Sequence, residues 1–229
     1  HTRRAFLGLA GLAAAGAVAP RSWGSVLSAR LETRTRDGLP AVRSFLTRPD
    51  LRPPTLEVLT SDPTPREGLV LLAPFTLPQP PADEGSGPLI VDARGEPVWF
   101  LPLTKRTAMD LRVQRHRGRR VLTWWEGTVF GGYGGSWVIA DSAYRTVGRV
   151  RAGNGYKGDL HDLVLTERGT ALLTIYNEVR ADLSSVGGPV EGRLVEGVIQ
   201  EIELASGKVL LEWHSLDHVA LEESSELGV

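Results

Sequence analysis

The residues best suited by type to do chemistry are Asp159-Leu160-His161-Asp162. A histidine flanked by two carboxylates has a fixed tautomer and a raised basicity, because a carboxylate accepts a hydrogen bond from one ring N–H and stabilises the protonated ring. Such an imidazole can act as a general base or as a nucleophile. The tetrapeptide follows a glycine-rich stretch and opens a run that alternates as a strand. The same residues therefore also describe a structural histidine packed between sheets and hydrogen-bonded to Asp159 or Asp162. Trp124, Trp125, Tyr133, Tyr156 and Tyr176 add aromatic surface near loops, suited to a flat ring or equally to core packing. His161 is the candidate catalytic residue, and Asp159, Asp162, Trp124 and Tyr176 are the candidate substrate-binding residues.

Three other patterns imitate chemistry that their context does not support. Gly153-Asn154-Gly155-Tyr156-Lys157-Gly158 has the spacing of a dinucleotide-binding loop, but the segment after it alternates as a hairpin. Without a helix there is no N-terminal dipole to face a pyrophosphate. Arg115-His116-Arg117-Gly118-Arg119-Arg120 reads as a solvated hairpin tip rather than an anion site, since Gly118 falls where the chain must reverse. His214 and His218 stand four apart, as zinc ligands on a helix can. Leu210-Leu211-Glu212-Trp213 ends a strand instead and no third ligand is evident, so these histidines read as loop-holding hydrogen-bond partners. The sequence calls for no cofactor and no metal.

The elements that must position His161 are strands. Leu89 to Phe100, with a turn at Asp92 to Gly95, reads as strand, turn, strand. Trp137 to Val147 repeats the pattern with Asp141, and Gln200 to Leu210 repeats it again. Between them lies a second kind of hairpin, Leu111 to Trp124 turning at Gly118 and Asp162 to Ile175 turning at Gly169. Asp92 to Asp141 is 49 positions and Gly118 to Gly169 is 51, whereas Asp141 to Glu203 is 62 because Ala181 to Arg193 reads as an inserted loop. A period near 50 residues built of four short strands is that of a β-propeller blade, which must stack on its neighbours to bury both faces. An unrepeated β-sandwich is the alternative. Two to three blades are expected within residues 88–229. Upstream, Gly68 to Phe75 reads as a buried strand, Thr55 to Leu59 as a strand and Leu39 to Leu46 as a short helix.

Composition narrows the function. The 229 residues carry 26 Lys and Arg against 27 Asp and Glu, a net charge of −1, so neither a nucleic-acid footprint nor a polybasic membrane patch is expected. The absence of cysteine excludes a disulfide scaffold, a thiolate metal site and a cysteine nucleophile in these residues. Arg3-Arg4 ahead of the uncharged run Leu9 to Ala19 has the layout of a twin-arginine (Tat) export signal, which predicts residues 1–29 as a signal peptide and an extracellular or cell-envelope location. Residues 30–87 then form an extended segment with the first strands, and 88–229 a partial propeller. A start at His1 and a closing acidic run, Glu222 to Glu226, predict the front part of a longer protein. Unpaired blade faces would favour self-association, with a homodimer as one outcome.

Taken in order, Gly87-Pro88-Leu89-Ile90-Val91-Asp92, Gly95-Glu96-Pro97-Val98-Trp99-Phe100, Val121-Leu122-Thr123-Trp124-Trp125, Asp159-Leu160-His161-Asp162 and Glu212-Trp213-His214-Ser215-Leu216-Asp217-His218-Val219 resemble the arylsulfotransferase family, in its actinobacterial exported branch. The likeness runs from about Pro49 onward. It implies an all-β, six-bladed propeller and transfer of a sulfuryl group from an aryl sulfate, not a nucleotide sulfate, to a phenol. It implies a ping-pong route through a sulfohistidine, with further histidines and an arginine neutralising the sulfuryl oxygens. By this resemblance His161 is an anion-stabilising or acid–base residue at the start of an inner strand. The covalent nucleophile belongs to a later blade, and no motif before Val229 matches it. The alternatives are a non-catalytic secreted propeller that binds a ligand or partner, and a hydrolase or lyase on the same scaffold.

Overall fold

The computed structural model describes residues 45, 47–54, 56, 68–75, 86–128 and 134–223. The expected signal peptide, nearly all of the expected helix over Leu39–Leu46 and strand over Thr55–Leu59, and Tyr133 lie outside the described residues.

Short acidic turns start the hairpins. Asp92 Oδ1 accepts from the backbone N–H of Arg94 at 2.8 Å and of Glu96 at 2.9 Å. With Gly95 at φ +78°, this folds β2 (Leu89–Asp92) back onto β3 (Pro97–Phe100). Asp141 repeats the device, accepting from Ala143 and Arg145, and joins β6 (Gly134–Ala140) to β7 (Thr146–Val150). Aspartate suits this place because its short carboxylate reaches the N–H groups two and four residues on without leaving the turn. At the third hairpin Glu203 stands there, and Ser206 Oγ takes over by accepting from Lys208 N–H at 3.1 Å while donating to Glu203.

The other hairpin type also forms where expected. Arg117 (φ 50°) and Gly118 (φ 72°) make the two-residue turn between β4 (Thr107–His116) and β5 (Arg119–Thr128). Two positive φ values give the turn hand that matches strand twist. Gly169 (φ +78°) turns β8 (Leu163–Leu165) into β9 (Thr170–Ala181). β10 (Gly192–Glu203) and β11 (Val209–His214) complete the strand order. The two repeating half-units are the two halves of one sheet: β4-β5-β6-β7 is a four-stranded meander, and β8 to β11 is a second with β8 and β11 at its edges. β1 (Leu69–Leu72), β2 and β3 make a three-stranded sheet. Pairing is antiparallel within the three-stranded sheet, throughout β4 to β7 and between β8 and β9. The described residues hold no α-helix, only 3-10 turns at Ser184–Val186, Ser215–Asp217 and Leu221–Glu223. The fold is all-β, built from the four-stranded meanders of which propeller blades are made.

One expectation about the strands needs correcting. The strand at Gly68 to Phe75 forms as β1 but is not buried. Among the described residues it pairs only with β2, and Leu69 and Val70 are 51% and 47% exposed. The Ala181–Arg193 insertion is a loop as expected: β9 ends at Ala181 and β10 starts at Gly192, and the ten residues between them hold only the 3-10 turn Ser184–Val186.

The described residues divide into one unit of those up to 175 together with 200–211 and another of 176–199 and 212–223, with the division crossing β9, β10 and β11. In the first unit the β4–β7 sheet is apolar on both faces. Neighbouring residues of a strand point to opposite faces. Trp124, with Leu122 and Val138, therefore packs on Ile90, Leu71 and Trp99 of the three-stranded sheet. Trp125 turns the other way, where its indole Nε1 donates to Gly158 O at 3.1 Å. Gly127 and Gly135 have no side chain because the Trp125 ring lies across them.

Candidate functional site

The glycine-rich stretch ahead of His161 is a structural connector. Buried Gln200 brackets Gly153, its Oε1 accepting from Gly153 N–H at 2.8 Å and its Nε2 donating to Gly153 O at 3.3 Å. A β-carbon at Gly153 would run into Val209. Gly155 has φ +84°, and Gly158 bridges to Gly135 and accepts the hydrogen bond of the Trp125 indole N–H. Gly153 and Gly158 are thus engaged in packing and Gly155 in a positive-φ turn, and a strand comes after them.

That connector delivers Asp159 into the interior at 0% exposure. Its N–H donates to Thr174 O at 3.0 Å. Its Oδ1 accepts from the backbone N–H of His161 at 2.5 Å and meets His161 Nδ1 at 3.1 Å. Its Oδ2 is buried with no hydrogen-bond partner among the described residues. A carboxylate removed from water needs compensation, and the imidazole of His161 supplies it. In return the hydrogen bond to Asp159 holds His161 above its ordinary pKa of 6.5, outweighing burial, which acts the other way. The imidazole remains 39% exposed on the strand-entry segment. It is anchored on one side, chargeable near neutral pH and within reach of solvent, which suits proton transfer or pairing with an anion.

Asp162 lies beside it and turns to Arg112 of β4, whose Nη1 is 3.0 Å from Asp162 Oδ1. The same guanidinium grips Asp110 with two further nitrogens, Nε donating to Oδ1 at 2.9 Å and Nη2 to Oδ2. Asp110 has φ 54° where the β4–β5 register shifts between Met109 and Arg112. Burial pushes its carboxyl above the usual carboxylate range, against the pull of Arg112. Sequence reasoning missed Asp110 and Arg112. The signal available was their i, i+2 spacing with Gln114, which puts three polar residues on one side of a strand apart from the bulge.

Of the expected substrate-binding residues, the structure brings Asp159 to His161, while Asp162, its neighbour in the chain, pairs with Arg112. It does not bring Trp124, which at 1% exposure is a core residue against Trp99 at 6.2 Å between ring centroids, so its ring offers no open face. Tyr176 is half-buried on β9 in the other unit.

A model of the arylsulfotransferase (ASST) family matches residues 112–227. The chain belongs to the arylsulfotransferase family. At that level it is a sulfotransferase-type enzyme, and its antiparallel meanders agree with the family's propeller. No curated protein matches the chain. The match to this arylsulfotransferase chain spans Arg112, Asp159, His161, Asp162 and a second carboxylate–histidine cluster. In that cluster His214 Nδ1 meets buried Glu196 at 3.0 Å and Nε2 meets Glu212 at 3.2 Å, while Asn177 donates to Glu196 Oε2 at 3.0 Å. The hydrogen bonds to Glu212 and Glu196 raise the His214 pKa. Both ring nitrogens of His214 thus face carboxylates, which leaves neither of them open for attack on a substrate. His218 stacks on Trp213 at 5.2 Å, so the histidines expected to hold a loop are separately engaged.

Proposed function

We propose that the protein moves a sulfuryl group from an aryl sulfate to a phenolic acceptor through a sulfohistidine, with His161 as acid–base and anion-stabilising residue. The attacking histidine is expected on a later blade, outside these residues. Its nitrogen attacks sulfur and the S–O bond to the aryl group breaks. His161 in its protonated form hands its proton to the departing aryloxide. The neutral imidazole then takes the phenolic proton as the acceptor oxygen attacks sulfur and the N–S bond breaks. The observation that supports this reading is the Asp159–His161 contact, a chargeable imidazole tied to a buried carboxylate yet 39% exposed. No cofactor is needed for these steps. The Arg3-Arg4 signal supports export by the Tat machinery, in which case the substrates are met outside the cytoplasm.

The test is release of nitrophenol from nitrophenyl sulfate by the full-length protein with and without phenol. Release that requires the acceptor, and that His161→Ala reduces, supports the proposal. Acceptor-independent release would make the protein a hydrolase, and binding of the aryl sulfate with no release would make it a ligand-binding propeller. A reporter fused behind residues 1–29 and retained in the cytoplasm would overturn export.

A further inference from the structure

We propose that Arg112 is a positioning residue for His161, clamping Asp162 while itself held by Asp110, so that β4 sets where the imidazole stands. The proposal rests on the reading of His161 as a participant in sulfuryl transfer.

Residues 159–162 precede the ladder that begins at Leu163 of β8, so regular pairing does not hold them. On the β9 side the segment has two backbone contacts, Asp159 N–H to Thr174 O at 3.0 Å and a longer one from Thr174 N–H to Asp162 O at 3.4 Å. Toward β4 the restraints are side chains. Gln114 Nε2 donates to Leu163 O at 2.9 Å, its Oε1 accepts from Leu165 N–H at 2.9 Å, and Arg112 takes Asp162. Arg112 and Gln114 are two apart on one strand and so share a face. They stitch the edge of β8 to β4 at three successive points.

A lone exposed ion pair would restrain little. This one differs because the guanidinium is fixed before it reaches Asp162. Asp110 grips it through two nitrogens, a geometry that confers direction as well as attraction. The register shift and the left-handed backbone at Asp110 are the local distortion that brings its carboxylate round to Arg112. Strain of this kind persists where surrounding contacts enforce it. With Nε, Nη2 and Nη1 all directed at carboxylates, Arg112 presents no open fork to a sulfuryl oxygen.

The experiment compares Arg112→Gln, Arg112→Lys and Asp162→Asn in the full-length protein by acceptor-dependent transfer and by NMR titration of the His161 ring. Arg112→Gln is expected to lower kcat by about 10- to 100-fold, as loss of a near-attack geometry does, with KM little changed. The His161 titration midpoint should move down as its contact with Asp159 loosens. Arg112→Lys should recover part of both, and Asp162→Asn should shift both in the same direction by less, which keeps the proposal testable if Arg112→Gln does not fold. An unchanged His161 titration in folded Arg112→Gln overturns the proposal. So does a loss carried by KM alone, which would make Arg112 a substrate-binding group. Should the wild-type protein show no transfer, the function fails while the titration still decides the clamp.

Discussion

Gly135→Ala puts the packing behind the site to a direct test. A β-carbon at position 135 would lie 2.6 Å from Trp125 Nε1 and closer still to two carbons of the same ring. The ring cannot swing aside freely, because Trp125 is 0% exposed and its Nε1 holds Gly158 O at 3.1 Å. Overpacking a core of this kind costs about 1–3 kcal/mol, and loss of the indole hydrogen bond adds about 1 kcal/mol. The expected destabilisation is therefore about 2–4 kcal/mol. In urea, with an m-value of about 2 kcal/mol/M, that moves the midpoint down by about 1–2 M at unchanged slope. The geometry makes a sharper statement about the pair. The atoms in collision are Nε1, Cε2 and Cζ2 of the indole, none of which has a counterpart in a valine side chain. Trp125→Val alone should destabilise by leaving space and removing the indole donor from Gly158 O, yet in combination with Gly135→Ala the added methyl meets no ring. The double variant should then be more stable than the sum of the single effects by at least about 1 kcal/mol. Strict additivity, or a Gly135→Ala protein as stable as wild type, would refute the reasoning.

Other outcomes rest on the same contacts. Asp159→Asn should return the His161 titration toward 6.5, since the hydrogen bond to Asp159 is the leading cause of its rise. His161 is raised in the folded state, so its stabilisation is complete below 6.5 and disappears as pH rises through the folded value. The stability gap between wild type and His161→Gln, read by urea unfolding, should accordingly widen toward acid pH, and Asp159→Asn should flatten it. His214→Leu deprives buried Glu196 of its imidazole partner and should cost about 1–3 kcal/mol in the same assay, again more at acid than at alkaline pH because His214 is raised. Asp141→Ala should lower the thermal midpoint, and the difference from wild type should shrink in acid. The Asp141 carboxyl is held below 3.8, chiefly by the Arg145 backbone N–H, so its contribution is present above that value and lost as pH falls through the folded one.

The hairpins could be read from the sequence because their cause is local. Asp92 and Asp141 each close a turn with residues no more than four away, and Gly118 and Gly169 occupy the positive φ that their spacing implied. The Asp159–His161 contact was also within reach, being two residues long. Trp124 and Trp125 show where local reading stops. Adjacent residues on a strand were bound to face opposite ways, but only the presence of apolar neighbours on both sides of the sheet buries both rings. Exposure of β1 has the same origin, since its partner count depends on which strand takes the middle of the sheet. Asp110 and Arg112 escaped notice because their meaning depends on a register shift and on Asp162, fifty positions away from Arg112.

The seam that Gln114 makes along β8 has a bearing on how such a protein can diversify. Ladder bonds are made by main-chain atoms and survive most replacements, so each sheet is buffered against genetic drift. The joint between β4 and β8 is written in side chains, and a single codon can alter it. Exchanging Gln114 for a longer or shorter polar residue would reset the gap between two strands while leaving every ladder intact, a route by which homologues could acquire different apertures around the same imidazole.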